Sequence, residues 1–76
     1  LKRAQARVSS VDTLALPTAV AAQQQAQANL ALAEREAQRA RELLAKGFVS
    51  QSRVDDAERQ LEVARGALAS ARAQSG

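Results

Sequence analysis

The stretch Lys46-Gly47-Phe48-Val49-Ser50 decides how this chain folds. Strong helix formers run up to it, Arg41-Glu42-Leu43-Leu44-Ala45, and Gln51-Ser52-Arg53-Val54 follows it. Gly47 can adopt the left-handed backbone that closes a helix, and Ser50 can accept a hydrogen bond from the free amides of the next one. With Ser50 as N-cap, Val49 and Val54 fall at the N′ and N4 positions of a hydrophobic staple, and Asp55 and Asp56 lie near the positive helix end. The five residues therefore read as a stop followed at once by a start.

Outward from that point the apolar pattern is a heptad on both sides. Ala19, Gln23, Ala26, Leu30, Ala33, Ala37, Ala40 and Leu44 alternate steps of four and three, and Val54, Ala57, Leu61, Ala64, Leu68, Ala71 and Ser75 alternate steps of three and four. A short connection between two such stripes favours antiparallel neighbours. The expected fold is all-α: an antiparallel two-helix coiled-coil hairpin, with a helix over 18–46, a turn over 47–50 and a helix over 51–74. At 1.5 Å per residue these helices would be about 43 Å and about 36 Å long. Alanine at every second seam position allows the two backbones to approach closely.

Composition supports a thin rod over a globule. The apolar share is 46%, but 19 of those residues are alanine and Phe48 is the only aromatic, too little bulk for a conventional core. The hairpin is therefore expected to be marginally stable alone. Residues 1–16 read as a lead-in or the end of a preceding helix, with the hairpin over 17–76. Leu1 to Val8 is helical in character, Ser9, Ser10 and Asp12 have loop character, Val11 to Leu16 suits a short extended stretch, and Pro17 suits the first helical turn. A chain with no Met that stops at Gly76 is expected to be a segment of a longer protein. No apolar run nears the roughly 20 residues of a membrane span, so direct membrane insertion is not expected.

Chemistry is constrained by what is missing. Zero Cys, His and Met remove thiol nucleophiles, imidazole bases and the usual zinc ligands, so no metal and no cofactor is expected. Ser50 and Ser52 have no base beyond Lys46, and Asp55 and Asp56 diverge by about 100° on a helix. Their role is capping and dipole compensation, and an enzyme is not expected. The formal charge of +3 raises nucleic acid as a partner, but the nine Arg are spread over several faces among acids, without stacking aromatics. No nucleic-acid partner is expected. Glu34, Glu36, Glu42, Glu58 and Glu62 likewise interrupt the basic face that an amphipathic membrane-surface helix would need.

One end of the rod carries more information. Arg39 and Leu43, four apart, share a helical face outside the seam and should point outward. Ser50 follows across the turn, with Phe48 and Val49 beside it. The bland alternatives are that Arg39 pairs with Glu36 or Glu42, Leu43 covers the end of the seam and Ser50 only caps.

The stretch from Arg39 to Ala57 resembles the hairpin tip of HlyD-like membrane fusion proteins, the periplasmic adaptors of tripartite efflux and secretion machines. Their tip pattern of Arg, three residues, Leu, six residues, Ser is matched by Arg39, Leu43 and Ser50, within Leu-Leu-Ala-Lys-Gly before the turn and Asp-Asp-Ala after it. The resemblance covers Thr18 to Gln74. It implies a hairpin set in a lipoyl-like domain, adaptors assembled in a ring with neighbouring protomers, and tips meeting a TolC-type outer-membrane channel. It further implies an inner-membrane transporter reached through domains absent here, and the periplasm of a Gram-negative bacterium in a parent protein anchored to the inner membrane. Arg39, Leu43 and Ser50 would then contact the channel, with Phe48 and Val49 as secondary candidates. The competing expectation is a purely structural coiled-coil spacer or oligomerisation module, indifferent to Arg39 and Leu43 but sensitive at Leu30 and Leu61.

Overall fold

The computed structural model describes the backbone of residues 2–75 and the side chains of residues 17–74. Two helices make up the described chain, α1 (Lys2–Ala45) and α2 (Gln51–Ser75), folded back on each other through residues 46–50. The result is a rod with extents of 69 × 13 × 12 Å. No helix among the described residues is long and apolar enough to cross a membrane.

Burial follows the heptads. Ala37, Ala40, Val54, Ala57 and Leu61 form the tightest cluster, with Leu30, Ala33 and Leu44 packed against it. Ala26, Ala64 and Leu68 extend the buried line, and Ala19, Gln23 and Ala71 are half-buried at the end away from the turn. The side chain of Ser75, the last position of the second stripe, lies outside the described residues. Ala37 at 0% exposed and Ala57 at 1% are more deeply enclosed than any leucine among the described side chains, because a methyl group between close backbones leaves no room for solvent.

Near the turn, the flanks of the seam carry ion pairs between the helices. Arg41 precedes the turn and meets Glu58 at 3.0 Å, while Arg53 meets Glu36 at 3.7 Å. Residues 41 and 58 each follow a seam alanine, and residues 36 and 53 each precede a seam residue, so the pairs sit on opposite sides of the seam. Like flanks face each other in this way when two heptad helices run antiparallel.

The expected lead-in is revised. The helix begins at Lys2, so Ser9, Ser10 and Asp12 are helical and Pro17 lies inside α1 and does not open it. Proline removes one amide donor and crowds the preceding turn, a cost of about 3 kcal/mol that the good helix formers on both sides oppose. Spacings of four would also allow Glu42 to pair with Lys46 and Asp55 with Arg59, but other partners are taken. Glu42 accepts from Gln38 Nε2 at 3.1 Å, Asp55 accepts from Gln51 Nε2 at 3.0 Å, and Arg59 pairs with Asp56 at 3.5 Å. Spacings of three and four compete on any helix face, and the acids settled with the partner one turn before them or after them accordingly.

Candidate functional site

The apex is built almost entirely by main-chain hydrogen bonds. Gly47 has φ of +77°, the left-handed conformation expected of it. Its amide donates to the Leu44 carbonyl at 2.9 Å, and the Phe48 amide donates to the Leu43 carbonyl at 2.8 Å. This nested pair is a Schellman motif, in which the last free carbonyls of a helix are satisfied by the amides that reverse the chain. A Cβ on Gly47 would meet nothing within 4 Å, so the glycine is required by its backbone angle and not by crowding.

Two residues later α2 starts. Ser50 is its N-cap: the Arg53 amide reaches the Ser50 carbonyl at 3.1 Å and the Ser50 Oγ at 3.4 Å. The long second distance leaves the hydroxyl loosely held, with its proton available to an outside acceptor. Val54 is 4% exposed and Val49 half-buried, the burial a staple across this start requires. The first turn of α2 contains no acid, so Asp55 and Asp56 act on the helix dipole only from the second turn.

The candidate residues occupy this framework unevenly. Phe48 is 72% exposed, an aromatic ring standing in solvent at the apex, and Ser50 is exposed beside it. Leu43 is half-buried and not fully outward, since it flanks seam residue Leu44. Arg39 is exposed one helical turn back, about 6 Å along the axis. Its two expected intrahelical partners are engaged elsewhere, Glu36 by Arg53 and Glu42 by Gln38. Among the described residues no hydrogen bond or ion pair engages the Arg39 guanidinium. The tip therefore offers an unneutralised cation, part of a leucine, an open aromatic face and a hydroxyl.

A second apolar feature lies about 20 Å along the helices from the turn and is absent from the tip motif. Leu32 is 57% exposed and Val63 68% exposed, and both line one shallow groove with Asn29, Gln60 and Ala67. The two occupy the same heptad position on their helices, one residue before and one residue before a seam alanine, which was the available signal. Neither carries chemistry.

Comparison with known proteins bears on the whole hairpin. The family profile described as RND MFP, alpha-helical hairpin domain, matches residues 15–75, which takes in both seams, the apex and all five tip residues. No curated protein and no solved structure gives a significant match.

Proposed function

Since the chain belongs to the α-helical hairpin family of RND membrane fusion proteins, we propose that it is the non-catalytic reach of a periplasmic adaptor. In this reading the tip docks on a TolC-type outer-membrane channel and the parent protein bridges that channel to an inner-membrane transporter. The parent would stand in the periplasm of a Gram-negative bacterium, anchored to the inner membrane. Residues 17–76 form the working hairpin, and residues 1–16 lead into it.

The observation that carries the docking role is the unpaired Arg39 beside a half-buried Leu43 at an apex whose backbone needs are already met. Arg39 would donate to carbonyls or carboxylates of the channel, Leu43 and Phe48 would cover apolar surface, Ser50 would add one hydrogen bond, and Val49 would support them from the turn. Neighbouring protomers would pack along the sides of the rod, where Leu32 and Val63 leave apolar surface open.

The test is Arg39→Asp in the full-length adaptor, with helicity checked by circular dichroism. Export and crosslinking to the channel should both fall sharply while helicity is retained. Undiminished export and crosslinking would remove the docking role and leave the structural-spacer reading, in which only seam changes such as Leu61→Ala matter.

A further inference from the structure

Arg39 is unpaired in spite of its own sequence. Glu36 stands three residues before it and Glu42 three residues after, both at spacings that form ion pairs on a helix surface. Either carboxylate would draw the guanidinium down onto α1. The structure shows where each goes: Glu42 turns to Gln38 Nε2 at 3.1 Å, and Glu36 reaches across to Arg53 of α2 at 3.7 Å. Glu36 is half-buried against the seam flank, facing the other helix.

Resting on the docking reading above, we infer that Arg53 is a positioning residue, which holds the Glu36 carboxylate across the helix interface and so keeps the Arg39 guanidinium free for the channel. The pair is poorly suited to a purely stabilising role. Its side chains are 47% and 40% exposed and its separation is close to the limit of an ion pair, a geometry in which little stability is gained. The Arg41–Glu58 pair, at 3.0 Å on the opposite flank, takes its carboxylate from α2 and so withholds no acid of α1 from Arg39. Removal of Arg53 releases the Glu36 carboxylate, three residues from Arg39, to compete for its guanidinium.

This predicts an asymmetry that stability cannot produce, because Arg53→Gln and Glu36→Gln break the same ion pair. In the intact adaptor, R53Q should weaken equilibrium binding to a purified TolC-type channel by about twofold, the hold that an exposed pair three residues apart exerts. E36Q should leave binding unchanged, and E36Q combined with R53Q should restore it. A direct contact between Arg53 and the channel would not be rescued by E36Q. The labelling rate of Arg39 by phenylglyoxal, read by peptide mass spectrometry without any channel present, should slow by about twofold in R53Q and recover in the double variant.

Equal effects of the two single variants on Arg39 labelling, or no rescue in the double variant, would overturn the positioning role. If labelling follows the predicted order while Arg39→Asp leaves channel binding intact, the docking reading fails and the control of Arg39 by Arg53 stands as a property of the hairpin.

Discussion

Two glycines in this chain have opposite consequences. Gly47 sits at φ of +77° with open space around it, so Gly47→Ala adds no clash and costs only the left-handed backbone, about 1 kcal/mol. Gly66 lies inside α2, also with open space around it, and Gly66→Ala should stabilise by about 0.8 kcal/mol through helix propensity. Urea titration followed by far-ultraviolet circular dichroism should move the midpoint down for the first and up for the second. Ser50 separates capping from docking in a similar way. Ser50→Asp retains an acceptor for the Arg53 amide and should hold the midpoint near that of the parent, whereas loss of the hydroxyl proton should weaken channel crosslinking. Equal crosslinking by S50D would confine Ser50 to capping.

At the scale of the helices, the seam was readable and its flanks were not. Apolar residues at alternating steps of three and four have one physical use in a chain poor in large side chains, and from Ala19 to Ala71 every seam position among the described side chains is buried or half-buried. The turn was readable because glycine and serine have distinct stereochemical uses at helix ends. Ion-pair choice was hidden. A spacing of four allows Asp55 with Arg59 and Glu42 with Lys46, while the partners actually taken depend on side-chain rotamers and on which groups the other helix brings near, as with Arg53 and Glu36. The free state of Arg39 was hidden for the same reason. The close fit of alanine also gives a test: Ala57→Leu, at a site 1% exposed, would push the helices apart and should destabilise by about 1–3 kcal/mol. Leu61→Ala, 5% exposed, should cost about 2–3 kcal/mol, near the low end for leucine because a two-helix rod can collapse around the gap. Both read out as urea midpoints, and a neutral A57L would mean that the helices are not in the close register described.

The molecule as a whole is long and at most two helices thick, so most described side chains outside the seam face solvent. Leu32 and Val63, 57% and 68% exposed, contribute little to the hairpin itself. Replacing both with Gln should leave the unfolding midpoint nearly unchanged, within about 0.5 kcal/mol. If protomers pack along this side, the same change should lower the yield of lateral crosslinks in the full-length adaptor. Unaltered crosslinking would exclude this groove from the contact. The structure also revises the lead-in at this scale, since Pro17 was read as a start and lies within one continuous helix from Lys2 to Ala45.

The reversal of the chain is fastened by the amides of Gly47 and Phe48, and neither bond asks anything of the Phe48 side chain. Position 48 is thereby released from folding duty. A substitution there can change what the apex presents to solvent, while the vertex that carries it stays the same shape.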